Sequence, residues 1–280
     1  MPAAIADPSG FSPGESGSQR MIMDQRQFEI ILKPCGWEDV IRARMGARRA
    51  PIKAHTYRRK WESFSRPVLL SCGEKNEEFV VKGRHAGRAI VNEHVVGRLG
   101  ALLEAPVPRI EIIEVPKDLI DAESELGHLV PGLAHGSQWI PDCSDRQWVQ
   151  ASDLKENRSR FAALAVLYGW VRANDHQLIY SNADPRLVHS VDHGHFFPSG
   201  PDWRIQDLRE ADPACPDRML VEACQLTEEE LERARQSLAR IDAEAIADIV
   251  AGPPDEWGIS MGERVEVAIY LWKRRDQLLC

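Results

Sequence analysis

Two aspartates stand where a carboxylate can do chemistry. Asp175 follows an apolar, helix-patterned segment in the run Asn174-Asp175-His176-Gln177, and Asp192 opens Asp192-His193-Gly194 at the end of a short β-like run. A loop aspartate behind a helix can accept the proton of an attacking hydroxyl. An aspartate followed closely by glycine, which lets the backbone turn sharply, can face a metal ion held by phosphate oxygens. One acid to orient a nucleophile and one to hold a divalent cation are what phosphoryl transfer needs. Two further residues precede them. Lys82 ends the strand-like run Phe79-Val80-Val81-Lys82, where it would point a fixed cation into a cleft and pair nucleotide phosphates. Glu93 lies on the helix that follows and can reach back to orient it.

Each residue also has a plainer use. A lysine at a strand end is commonly exposed, Glu93 can be a surface residue, and Asp175 can serve a turn. A second constellation competes for Asp192. His189, His193 and His195 lie close to it in sequence, and imidazoles with a carboxylate suit zinc, iron or manganese. On a strand His193 and His195 would share a face.

The elements that must position these residues follow from periodicity and turn chemistry. Pro67–Leu70 and Phe79–Lys82 read as two strands, joined through the turn Gly73-Glu74-Lys75-Asn76. Ile90, Val91, His94, Val95, Leu99, Leu102 and Leu103 share one face of a helix, which Pro106 and Pro108 stop. Arg109–Val115 is a β-branched third strand, and Gly136–Ile140 is either a fourth or the crossing between two lobes. In the latter case Trp139 and Ile140 would meet an adenine edge. Phe161, Leu164, Ala165, Tyr168 and Val171 mark a second helix. Leu178–Tyr180 and Leu187–Val191 form a hairpin with the two aspartates near its ends. Thr227-Glu228-Glu229-Glu230 is a capping box that opens a helix running to Ile249. Gly252-Pro253-Pro254 breaks it, and a last helix starts near Glu263. The order is α+β, with a strand-rich first half and a helical second half. The expected division is a disordered extension over 1–22, a nucleotide-binding N-lobe over 23–140, and a C-lobe over 141–280 with the catalytic loop and metal segment. A start at Met21 or Met23 would fit the Ser-, Gly- and Pro-rich composition before it.

The ordered set Lys82, Glu93, Asp175 and Asp192 is arranged like the strand-lysine, helix-glutamate and two-aspartate set of protein kinases. Val80-Val81-Lys82-Gly83, Asn92-Glu93, Arg98-Leu99 and Pro106-Val107-Pro108 resemble the amino-terminal lobe of HipA-like kinases, as do Pro131-Gly132-Leu133 and Gly136-Ser137. Ser190 through Phe197 resembles the metal segment of the shorter HipA-related proteins. The resemblance covers roughly 79–197. It implies a bilobal fold related to protein and phosphoinositide kinases, with ATP and Mg2+ as ligands. It also implies Lys82 on the phosphates, Asp175 as catalytic acid/base and Asp192 on the metal. The chain departs from the family's catalytic loop, which reads Asp-Arg-His-x-x-Asn. Counting from Asp175, the arginine, histidine and asparagine positions hold His176, Gln177 and Tyr180, and Asn182 lies two residues beyond. A nucleotide-binding pseudokinase acting through partner contacts is therefore a second reading, and the histidine-cluster metalloenzyme is a third.

Bulk properties narrow the classes. The 280-residue chain has 43% apolar residues and a net charge of −8, which supports a core and does not favour broad nucleic-acid binding. Six scattered cysteines with no Cys-x-x-Cys pair suit a reduced, cytoplasmic protein. No apolar run is long enough for a membrane span. The basic stretch from Arg42 to Lys60 reads as solvated surface, or as a contact zone for an acidic partner.

Overall fold

The computed structural model describes residues 34–280, so the N-terminal extension lies outside the described residues. Helix α1 (Pro34–Met45) leads into strand β1 (Ile52–Lys60), then β2 (Val68–Cys72) and β3 (Glu77–Lys82). Helix α2 (Ala89–Leu102), strand β4 (Ile110–Val115), helix α3 (Lys117–Ala122) and strand β5 (Gly132–Gln138) follow. Strands β1 to β5 close into a barrel in the order β1-β2-β3-β5-β4. Every neighbouring pair is antiparallel except the parallel β1–β4 closure. Val68, Leu70, Phe79, Val81, Ile113 and Val115 fill its interior.

The stretch from Ile52 to Lys60 is a strand rather than a surface run. Its inward positions are only Ala54 and, in part, Ile52 and Tyr57, and two bulges in its pairing with β2 break the period-2 alternation. The charged side chains of Arg58, Arg59 and Lys60 stay outside.

After β5 the chain enters a second sheet of β6 (Cys143–Gln147), β7 (Leu178–Ser181) and β8 (Val188–Ser190), all antiparallel. The crossing between barrel and helical half thus falls at residues 139–142, so the expected Gly136–Ile140 segment is divided, with Gly136–Gln138 ending β5 and Trp139 and Ile140 starting the crossing. Helix α4 (Lys155–Val171) separates β6 from β7. It buries every residue from Phe161 to Val171, and so has no single apolar face there. A helix apolar all round is a central one, and α5 (Ile205–Arg209), α6 (Arg218–Cys224), α7 (Glu228–Ala239), α8 (Ala243–Ala251) and α9 (Met261–Leu279) complete the helical half. The capping box at Thr227 is present, but the expected single helix to Ile249 is two. Asp242 starts α8 by accepting from Ala245 N–H at 2.8 Å.

Helix α1 packs on α8 and α9, with Trp37 and Ile41 buried among them. Helix α2 lies between the halves. It touches β4 and β5 on one side and α4 and α8 on the other, and its buried Ile90, Val91, Val95, Val96 and Leu99 belong to the helical core. No helix among the described residues is long and apolar enough to cross a membrane.

Candidate functional site

Lys82 is the last residue of β3, 4% exposed, and its ammonium is held from two directions. It donates to Glu93 Oε1 and, at 2.7 Å, to Asp192 Oδ1. The strand supplies the lysine, α2 supplies the glutamate, and the loop after β8 supplies the aspartate. The other oxygen of Glu93 lies 3.1 Å from His135 Nε2. His135 stands opposite Lys82 in the β3–β5 register and is wholly buried. Glu93 is thereby fixed by a cation on one oxygen and an imidazole on the other.

Burial alone would lower the Lys82 pKa, but the Glu93 and Asp192 carboxylates outweigh it and raise the lysine above its ordinary range. Burial pushes Glu93 the opposite way, and Lys82 and His135 together hold it well below the carboxylate range. The sign of linkage follows. The glutamate's contribution to stability is present above pH 4.5 and lost as pH falls through its native pKa. The lysine's is present below 10.5 and lost as pH rises through its own. At neutral pH the pair is charged on both sides. Asp192 is different: burial and then Glu93's charge raise its pKa, against the pull of Lys82. Its side chain remains 35% exposed, the open side of an otherwise closed cluster.

The segment carrying Asp192 is held by backbone contacts. Asp192 itself takes φ 59°, the left-handed region that aspartate tolerates better than most residues. The turn is therefore made at the acid, not at Gly194. Glycine is needed at 194 for space, because a Cβ there would lie 3.0 Å from both Ala89 Cβ and Glu93 Oε1. Asn92 on α2 donates to the carbonyls of Gly194 at 2.9 Å and Phe196 at 2.8 Å, and accepts from Trp203 Nε1 at 3.0 Å.

Asp175 lies at the open end of the β7–β8 hairpin, beside the Asp192 segment. Its neighbour Asn174 donates to His195 O and Phe197 O, and Val191 N–H donates to Gln177 O at 3.1 Å. Gln177 Nε2 donates to Asp175 Oδ2 at 3.0 Å. The loop is thus tied to the 191–197 segment on both sides of the aspartate. Tyr180 does not face this end. Its ring is in the core, and its hydroxyl donates to Trp148 O at 3.1 Å and accepts from Gln150 N–H at 2.9 Å. Asn182 sits near the hairpin tip, accepting from Ser144 Oγ at 2.7 Å. That is roughly 16 Å along an extended chain from Gln177. The residue just before β7, at the aspartate end, is Gln177.

Trp139 and Ile140, both half-buried, begin the crossing. The Trp139 amide donates to Glu78 O at 2.8 Å, and its ring lies under the Arg59 guanidinium at 4.6 Å and beside Trp61. The backbone edge open to a ligand at Trp139 is therefore its carbonyl, not its N–H. The three histidines do not converge. Residues 193–195 are a turn and not a strand, which removes the shared face. His193 Nε2 bonds Ser190 Oγ at 2.8 Å, and His189 Nδ1 receives Arg160 at 3.2 Å. Among the described residues no three His, Cys, Asp or Glu side chains form a metal cluster.

Sequence reasoning passed over His135 and gave Asn92 and Gln177 no role of their own. A histidine inside the Ala134–Gly136 run and an asparagine on an apolar helix face are the signals that could have marked the first two. Nothing in the local pattern marked the third.

Next to Glu93, His94 is 3% exposed, and burial, then His135, Arg98, Arg48 and Arg264, lower its pKa well below 6.5. His189 is pushed down to about 4, first by burial and then by Arg160. The unfolded chain binds protons at both below pH 6.5, and the native chain does not until lower pH. Stability is therefore expected to fall as pH drops from 6.5 toward 4. Melting temperatures across that range check this, and His94→Gln should flatten the slope.

A model of the HipA-like kinases matches residues 55–197. No curated protein matches the sequence. Among solved structures, the Helicobacter pylori proinflammatory kinase CtkA is similar in fold, with a TM-score of 0.51 at 11% identity, covering 79% of this chain and 91% of that one. The bilobal arrangement is that of a kinase. Since the family model spans half of the chain, from within β1 to the loop that follows Asp192, this protein belongs to the HipA-like kinase family.

Proposed function

We propose that the protein is an ATP- and Mg2+-dependent phosphotransferase acting on a hydroxyl acceptor in the cytoplasm. The observation that carries this reading is the double seating of Lys82. A buried ammonium held by Glu93 and Asp192 has a fixed position and keeps one of its three N–H groups for a phosphate oxygen. Magnesium takes hard oxygen donors, and the residues present suit it in kind. Asp192 offers a partly exposed carboxylate, and Gln177, just before β7, offers an amide oxygen in place of the family's asparagine. When bound, the ion neutralises charge on the nucleotide phosphates. Asp175 accepts the proton of the acceptor hydroxyl, and Gln177 Nε2 orients that carboxylate. Glu93, braced by His135, keeps Lys82 aimed at the phosphates. Trp139 and Ile140 are assigned to the adenine edge.

The test is transfer of the γ-phosphate from ATP, to the chain itself or to hydroxyl acceptors, with and without Mg2+. Lys82→Met should abolish transfer. Gln177→Leu should weaken Mn2+ binding to the nucleotide complex about tenfold, read by electron paramagnetic resonance. Unchanged Mn2+ affinity would remove Gln177 from the site. The engagement of Tyr180 in the core favours one second reading, a nucleotide-binding module without transfer. Saturable nucleotide binding with no phosphate transfer would select it.

A further inference from the structure

On the far side of Glu93's helix is a cavity of about 210 Å³ that the nucleotide reading does not use. Arg44 lines it from the last turn of α1, Arg48 and Arg49 from the chain between α1 and β1, and Arg98 from α2. His94 forms part of its wall, and its Nδ1 has no hydrogen-bond partner although the residue is 3% exposed. The basic stretch seen in the sequence thus converges with a fourth arginine from a separate element.

The carboxylates nearby do not balance this charge. Glu111 and Asp248 also line the cavity, but Glu111 lies 3.6 Å from Arg109 outside it, and Asp248 is 3.7 Å from Arg98, a loose pair. Arg48 lies 3.4 Å from Asp255, which Arg264 already holds at 3.0 Å. Arg44 pairs with Glu244 at 2.8 Å. Arg49 makes no ion pair among the described residues. Arg48 is also pre-aimed, because its Nε donates to Ala251 O at 2.9 Å. Guanidinium groups converging on a small polar space suit a phosphate, which accepts several charge-assisted hydrogen bonds at once. The volume is below that of typical pockets for drug-sized ligands, and suits a compact anion.

We infer that this cavity is a binding site for a small phosphate-bearing anion, either inorganic phosphate or a compact phosphomonoester, held by Arg48, Arg49 and Arg98 with His94 behind them. The site is separate from the Lys82 cluster, so its existence does not rest on the phosphotransferase reading.

The test is calorimetric titration of the full chain with inorganic phosphate and, in a second arm, glycerol phosphate, at constant ionic strength. Saturable binding is expected, with the tighter arm naming the source. Arg49→Ala/Arg98→Ala should weaken it about tenfold or more. Arg49→Glu, at an exposed position outside every ion pair described, gives the same loss if the double variant does not fold. Lys82→Met should bind phosphate as the unaltered chain does. Absence of saturable binding, equal affinity in the arginine variants, or loss of binding in Lys82→Met would each overturn the proposal.

Discussion

Asp192→Asn is expected to cut Mg2+-dependent nucleotide turnover about a thousandfold or more, with the melting temperature unchanged or raised. The amide keeps the shape of the side chain and leaves Lys82 on Glu93. It removes the only carboxylate of this cluster that opens to the cleft, and a neutral amide is a poor ligand for magnesium. The stability arm follows from the electrostatics. Burial and the neighbouring Glu93 raise the Asp192 pKa, so the ionised form is disfavoured in the unliganded fold relative to the unfolded chain. Removing that charge relieves a cost and weakens only one of two contacts to Lys82. Transfer assays and thermal melts on the same preparation check both halves. Full turnover by the variant would remove Asp192 from the mechanism, and a fall of many degrees would show that its charge holds the fold.

Gly169→Ala is expected to destabilise the protein by more than about 4 kcal/mol, enough to abolish a cooperative melt. In an ordinary helix interior the same change stabilises by about 0.5–1 kcal/mol. The sign reverses because another backbone crosses α4 there. A Cβ on residue 169 would overlap the Cys215 carbonyl oxygen and come within 2.8 Å of its carbon and 2.9 Å of Pro216 Cα. The crossing segment is locked, with Asp217 N–H donating to Ala165 O at 2.8 Å and Arg274 Nη1 to Asp212 O at 2.5 Å. Backbone on both sides leaves nothing to move aside. Gly262 in α9 is the control. A Cβ there meets nothing within 4 Å, so Gly262→Ala should be neutral or stabilising. Similar melting temperatures for the two variants would show that the crossing segment can shift.

What was legible in the chain depended on whether one element or two defined the residue's role. Lys82 on a strand and Glu93 on the following helix are read from local periodicity, and the structure joins them. Asp175 and Asp192 flank a hairpin whose strands are visible as short apolar runs. His135 acquires its part only from the β3–β5 register, which pairs it with Lys82 across more than fifty residues. Strand β1 was hidden because its bulges erase alternation, whereas α4 was marked by the helical spacing of Phe161, Leu164, Ala165, Tyr168 and Val171 although it is buried on every side from Phe161 onward. Counting from Asp175 leads to Tyr180, yet β7 starts at Leu178 and carries Tyr180 into the core. Spacing along a loop does not convert to position when a strand begins early.

Helix α2 has one more consequence. It is gripped by β4 and β5 on one side and by α4 and α8 on the other, with five apolar side chains in the helical core. Swinging it outward would strip those side chains from their neighbours, a change comparable to unfolding part of the domain. The lysine–glutamate pair is therefore constitutive. It is assembled when the two cores condense around the helix, and it stands ready before any ligand arrives.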